Sequence, residues 1–511
     1  MASLLRFIAP LLLLLSPPMA ISGDGFEIQE ATIEAIQRAF KEGKLTSRQL
    51  VQYYSDRIHA LNPLLRAVIE VNPDAIRLAE LADEERNAAG DRHLGWLHGI
   101  PILLKDNIAT KDQLNTTAGS FALLGSVVPR DACVVRRLRS AGAIILGKAS
   151  LSEWAHFRSN GAPSGWCGRS GQGKNPYVLS ADPCGSSSGS AIAVAVNLAA
   201  VALGTETDGS IICPSSSNSV VGIKPTAGLA SRAGVIPISP RQDNVGPMCR
   251  TVSDAVHVLD VIVGYDPRDE KATSEAAGFL PRNGYGQFLK EDGLRGKRIG
   301  ILRKGFFDLF PSTSVRALTF QQHFNTMRQK GAILLDNLVI PKASTIRDFI
   351  GKYEEEVLQV EFKEAINAYL SELTYSPVRS LADLITFNNK HKAEEKIEEY
   401  GQDIFLDSQN SSVGPTERAA IAKMKVLSKQ GLERLMKKEK LDAVVTPESY
   451  FTSIMAIGGY PGISVPAGYE TDGTPFGLCF SGLKGFEPRL IEIAYAFEQA
   501  TNVRKPPSFK H

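Results

Sequence analysis

Cysteine is sparse in this chain. Six residues in 511, Cys133, Cys167, Cys184, Cys213, Cys249 and Cys479, are too few for a disulfide scaffold. They leave room for one or two bridges, with buried thiols as the simpler expectation. Histidine is scarce too: His59, His93, His98, His156, His257, His323, His391 and His511 show no metal-ligand spacing, and there is no His-Glu-x-x-His, which sets metal chemistry aside. The net charge is only +2, without a basic block interleaved with aromatics, which argues against nucleic acid as a partner. The run Lys437-Lys438-Glu439-Lys440 reads as a solvated helix end. No repeat of about 20 to 50 residues is visible, which excludes a solenoid. Length alone would allow roughly two to four domains. No linker interrupts the chain, however, so its 43% hydrophobic content reads as the core of one large domain.

After the first residues, no stretch is long and apolar enough to span a membrane. Residues 1–22 differ: Arg6 precedes a short apolar run from Phe7 to Leu15, then come Pro17-Pro18 and Ala20-Ile21-Ser22. This is the layout of a secretory signal peptide with a small-residue cleavage site, an uncleaved anchor being the alternative. It predicts a protein of the secretory route, extracellular, vacuolar or in the endoplasmic reticulum lumen, with no stable span after cleavage. Two sequons become relevant there, Asn115-Thr116-Thr117 and Asn410-Ser411-Ser412, the first within a segment expected to be buried.

Between Asn175 and Arg250 lie two loops of small residues that each carry serine, Cys184-Gly185-Ser186-Ser187-Ser188-Gly189-Ser190 and Gly204-Thr205-Glu206-Thr207-Asp208-Gly209-Ser210. Small residues allow the backbone to approach a ligand and aim its N–H groups at one point, as an oxyanion requires. They serve equally to cradle a phosphate or to pack tightly. The intervening Ala191–Leu203 is apolar on every side and predicts a helix buried all round, with a strand at its end. Gly185-Ser186-Ser187-Ser188-Gly189 also matches the Gly-x-Ser-x-Gly nucleophile elbow, centred on Ser187. Such an elbow follows a strand, whereas Ser180-Ala181-Asp182-Pro183 is turn-like, and His257, His323 and His391 sit in no recognisable loop motif.

Further residues complete a different pattern: Ser210-Ile211-Ile212-Cys213-Pro214, Val221 to Gly228, Ser231-Arg232-Ala233-Gly234, Asp243 to Pro247 ending at Arg250, and upstream Gly99-Ile100-Pro101-Ile102-Leu103-Leu104-Lys105-Asp106-Asn107. Together they resemble the amidase signature family of Ser-Ser-Lys hydrolases, in order from about Phe26 to Thr501. The resemblance implies an α/β fold, a single domain over residues 26–505 with a mixed β-sheet core surrounded by α-helices. A variable helical region, residues 345–440, would cover the cleft. It also implies a cofactor-free serine amidohydrolase with Ser210 as nucleophile, Ser186 (24 residues earlier) as bridging serine and Lys105 as base. The backbone N–H groups of Thr207, Asp208, Gly209 and Ser210 match the oxyanion hole, and Ser187 and Thr205 match supporting positions.

Residue chemistry sets its own test of this assignment. A lysine acts as base only when neutral, so its usual pKa of about 10.4 must be lowered by burial. Ile100, Ile102, Leu103, Leu104 and Ile108 offer apolar neighbours; pairing of Lys105 with Asp106 is the competing expectation. The common family pattern Gly-Gly-Ser-Ile-Arg is here Asp208-Gly209-Ser210-Ile211-Ile212, which removes an arginine partner for Glu206. These departures resemble the peptide-amidase-like branch. A C-terminal peptide amide or a small N-acyl amide is then the expected substrate, with acyl transfer by the same acyl-enzyme as the alternative. A catalytically silent binding scaffold and the glutaminase subunit of an amidotransferase compete with this reading, and a homodimer is possible. Trp154, Phe157 and Tyr460 are expected in the core or in an apolar pocket.

Elsewhere, Ile33, Ile36 and Phe40 predict a first helix stopped at Gly43, and Thr46 or Ser47 caps a second. Arg298–Leu302, a helix from Ser314 to Lys330, and Ala332–Leu335 predict a βαβ unit. The charged faces at Glu354-Glu355-Glu356 and Lys392–Glu399 are expected to meet solvent. Leu441–Pro447, Ile457–Pro461 and Ile463–Pro466 read as strands and turns, and Leu490–Thr501 as a closing helix.

Overall fold

Eleven strands of the computed structural model, which describes residues 25–90, 92–412 and 414–510, hydrogen-bond into one sheet. They are β1 (Val68–Val71), β2 (Pro101–Lys105), β3 (Ile144–Ala149), β4 (Val201–Glu206), β5 (Val221–Lys224), β6 (Asn244–Cys249), β7 (Arg298–Leu302), β8 (Ile333–Leu338), β9 (Ala443–Pro447), β10 (Gly462–Tyr469) and β11 (Pro475–Ser481). Their spatial order is β1-β3-β2-β4-β6-β5-β10-β11-β9-β7-β8. The β3-β2-β4 and β9-β7-β8 neighbours pair in parallel and the rest antiparallel, so the sheet is mixed. The proposed signal peptide, residues 1–22, lies outside the described residues. Among those described, no helix is long and apolar enough to cross a membrane.

The helices around the sheet include α1 (Ile33–Lys41), α2 (Ser47–Leu65), α3 (Ser188–Ala195), α4 (Ile212–Ser217), α5 (Val315–Gln329), α6 (Ala343–Glu372), α7 (Thr452–Gly458) and α8 (Glu487–Thr501). Thr46 is the cap of α2: its hydroxyl accepts from Gln49 N while Gln49 returns a bond to Thr46 N, satisfying donors that a helix start leaves open. The β7-α5-β8 unit is parallel, as its sequence pattern predicts.

The apolar run before the second serine loop is a buried helix followed by a strand, as its sequence reads, with the break between them set by the fold. Helix α3 ends at Ala195, Asn197 takes a left-handed φ of 59°, Leu198 N bonds back to Ala193 O, and β4 begins at Val201. A segment buried on all sides has no amphipathic period from which to read the break. Two boundaries move: Ile457 and Gly458 end α7, which closes at left-handed Gly459, and Lys392–Glu399 is mostly turn, with a short helix from Ile397 to Tyr400.

Strand β2 sits between β3 and β4, with Ile102, Leu103 and Leu104 fully buried. Buried on both faces, it reads in sequence as a continuous apolar run. Its last residue, Lys105, thereby ends deep in the protein beside the last residues of β4.

Candidate active site

The ends of β2 and β4 and the start of α3 converge. Lys105 is fully buried and its Nζ donates to Ser186 Oγ (2.7 Å) and Thr205 O (3.2 Å). Burial lowers its pKa to about 7, with Asp243 and Glu206 pulling in the opposite direction. Pairing with Asp106 is absent: Asp106 instead accepts from Thr117 N (3.3 Å), Thr117 Oγ1 and Gly119 N (3.1 Å), and burial raises its pKa against the opposing charge of Lys148. Lys148 is itself buried, donating to Ile108 O (2.7 Å) and Thr116 Oγ1 (2.8 Å).

Ser186 is almost fully buried and follows a cis Gly185–Ser186 peptide bond. The second serine loop abuts the first, with Ser187 N donating to Ser210 O (3.2 Å), and Ser210 is partly exposed. Ser187 does not face a histidine. Its hydroxyl donates to Thr205 O (3.0 Å) and accepts from Thr205 N (3.2 Å), tying the start of α3 to the end of β4. The three histidines that a nucleophile elbow could have used are engaged elsewhere: His257 on Glu34, His323 on Ala467 O, and His391 stacked on Phe387. Thr205 Oγ1 accepts from Asn107 Nδ2 (3.0 Å), which links it back to the β2 end.

The loop Thr207–Ser210 leaves β4 and turns at Gly209, whose φ of 81° suits glycine. Among the described residues, the N–H groups of Thr207, Asp208, Gly209 and Ser210 find no acceptor in the protein. The loop's side chains are fastened instead. Thr207 Oγ1 donates to Asp243 Oδ1 (2.6 Å), and Asp208 Oδ2 accepts from Ser453 Oγ (2.5 Å). Glu206, without the arginine usual in the family, accepts from Ile211 N (2.7 Å) and Ile212 N (2.9 Å) at the start of α4. A carboxylate at a helix N-terminus satisfies open donors there.

The surroundings of three carboxyl groups escaped the sequence reading. Asp243 accepts from Ile238 N (2.8 Å) and Ser239 N (3.0 Å) besides Thr207, and burial raises its pKa to about 6. Glu354, expected to meet solvent, lies on the buried face of α6, accepts from Gln242 Nε2 (2.8 Å) and has its pKa raised to about 8 by burial and by Asp208. Glu395, likewise expected at the surface, is fully buried beside Arg158 and Glu153. No periodicity marks any of them, because a partner distant in sequence is what pulls each one inside. Trp154, Phe157 and Tyr460 are core residues: Trp154 packs edge-on against Phe405 and Phe157 against Phe362. Cys184 and Cys213 form a disulfide, and the other four cysteines are buried thiols. Of the sequon asparagines, Asn115 has its amide nitrogen on Glu70 (3.0 Å), whereas Asn410 is exposed. Among the described residues, no group of three His, Cys, Asp or Glu side chains is placed to hold a metal ion.

A large mixed sheet wrapped in helices, with a buried lysine against paired serine loops, defines an α/β hydrolytic enzyme of the amidase type. Comparison with known proteins agrees. A family model described as Amidase matches residues 49–452. A probable amidase of Arabidopsis thaliana is 59% identical, the match covering 95% of this chain and 92% of that protein. The native peptide amidase of Stenotrophomonas maltophilia superposes with a TM-score of 0.86 at 42% identity, covering 94% of this chain and 99% of its own. A putative amidase of Schizosaccharomyces pombe is 38% identical over 94% of this chain and 87% of that protein. The chain belongs to the amidase family, and it is an amide-hydrolysing enzyme.

Proposed function

We propose that the enzyme cleaves a carboxamide through an acyl-enzyme on Ser210, with Ser186 and Lys105 as its proton relay. The observation that carries this reading is the 2.7 Å contact of Ser186 Oγ with a fully buried Lys105. With a pKa near 7, Lys105 is available as a neutral amine at neutral pH. Its lone pair can then accept the Ser186 proton while an N–H remains on Thr205 O. Ser186 in turn takes the proton of Ser210 as that hydroxyl attacks the carbonyl carbon. The proton returns through Ser186 to the departing nitrogen, which an amide needs because unprotonated nitrogen leaves poorly. Water then attacks the acyl-enzyme by the reverse relay and releases the acid.

The N–H groups of residues 207–210 are the proposed oxyanion donors, each worth about 3 kcal/mol by analogy with other acyl-transfer enzymes. Ser187 and Thr205 hold the relay by fixing α3 to β4. The 42% identity to a peptide amidase supports a C-terminal peptide amide as substrate. Labelling with a fluorophosphonate, followed by peptide mapping and a screen of peptide amides and N-acyl amides, tests the reading. A single adduct on Ser210, absent from Ser210→Ala, is expected. An adduct on Ser187, or none on folded protein, would overturn it.

A further inference from the structure

The disulfide joins the two serine loops. Cys184 lies two residues before Ser186, and Cys213 lies three after Ser210, in α4. The other direct ties between these segments are hydrogen bonds: Ser187 N on Ser210 O at 3.2 Å, the Ser187 hydroxyl on Thr205 O at 3.0 Å and Thr205 N at 3.2 Å, and Asn218 Nδ2 on Pro183 O at 2.8 Å; the disulfide is the covalent link. Cys184 also has a φ of 56°, a left-handed value that a residue with a β-carbon adopts at a cost, so its surroundings must hold it there. Cys184 and Cys213 are both partly exposed, within reach of a dissolved thiol, while Cys133, Cys167, Cys249 and Cys479 are buried.

We propose that the Cys184–Cys213 disulfide is a positioning cross-link that holds Ser186 against Ser210, and that turnover is therefore sensitive to thiol reductants. The proposal rests on the serine-lysine reading above. A dithiol reductant supplies the two electrons: its thiolate attacks one cysteine sulfur to give a mixed disulfide and frees the other cysteine. Its second thiol then displaces the remaining sulfur, leaving two protein thiols and an oxidised, cyclic reductant. Once the link is cut, only hydrogen bonds hold the spacing of the two loops, and the covalent restraint on it is lost. A displacement of about 1 Å between reacting groups can cost on the order of a hundredfold in rate.

The test compares steady-state hydrolysis of a peptide amide by oxidised enzyme, enzyme reduced with dithiothreitol under native conditions, and Cys184→Ser/Cys213→Ser. Thiol titration should report two new accessible thiols after reduction, and intact mass a gain of two hydrogens. We expect kcat to fall at least about tenfold on reduction, with KM little changed, and to return on re-oxidation. The double variant should match the reduced enzyme and ignore dithiothreitol. If the double variant fails to fold, the native reduction and re-oxidation series decides by itself. Reduced enzyme that melts at lower temperature but keeps full kcat would overturn the proposal, showing a bond that only stabilises the fold. Oxidised enzyme whose turnover survives Ser210→Ala would instead overturn the serine-lysine reading, and the positioning role with it.

Discussion

At the scale of single residues, the site depends on where burial places one proton. The Lys105 amine is buried among apolar neighbours, and desolvation disfavours its charged form. Since the proposed base is the neutral amine, kcat/KM should rise as pH increases through about 7 and level off above it. A rate-pH profile from pH 5 to 9 measures this; an activity already flat across pH 6 to 8 would contradict it. Ser210→Ala and Lys105→Ala should each lower kcat by about a hundredfold to ten-thousandfold with the melting transition retained. Full turnover by either folded variant would remove that residue from the relay. Lys105 was legible in sequence from the family motif around it, its apolar flanks indicating burial, but its contact with Ser186 spans 81 positions and only folding makes it. Asp243 and Glu354 were not legible, because an isolated carboxylate looks the same in a sequence whether it is solvated or enclosed.

At the scale of elements, α3 brings Ser186 to the sheet by close packing. Gly189, in its first turn, is so near the backbone that an added Cβ would lie 2.4 Å from Ser150 O and 2.5 Å from Ala67 O. Backbone oxygens cannot swing aside as the end of a side chain can. Gly189→Ala should therefore destabilise the protein by about 1–3 kcal/mol, measured as a shift of the urea midpoint, and lower kcat as α3 is displaced. Unchanged stability would mean that α3 is seated less tightly than its contacts indicate. The loops on either side of α3 and β4 were recognisable from their glycine and serine content. The helix-strand boundary between them was not, since a fully buried run carries no periodic signal.

At the scale of the whole molecule, the helical region after residue 343 is tied to the segments around Ser120 and Arg158 by buried charge. Arg158 contacts the Glu153 carboxylate, Glu395 O (3.0 Å) and the Glu395 carboxylate (3.5 Å), and lies over the Trp166 ring. Glu395 also accepts from Ser120 Oγ (2.8 Å) and Phe121 N (2.8 Å). Removing the one cation leaves two enclosed carboxyl groups, and burial together with Glu395 already raises the pKa of Glu153 well above its usual value. Arg158→Met should cost about 3–5 kcal/mol in equilibrium unfolding, with part of that recovered as pH is lowered and Glu153 takes up a proton. A loss below about 1 kcal/mol would assign the cluster the weight of a surface ion pair.

Through its resemblance to the amidase signature family, the sequence by itself determined the class of fold and the identities of the residues proposed for catalysis. Strand and helix patterns, the two small-residue loops and the lysine at the end of an apolar run are local features, set by side-chain size and hydropathy over a few neighbours. The tertiary structure decided the strand order, the partner of Lys105, the Cys184–Cys213 bond and the burial of Glu354 and Glu395. Each of those joins residues far apart along the chain. Their proximity is fixed by how eleven strands and their helices pack, which no short stretch of sequence encodes.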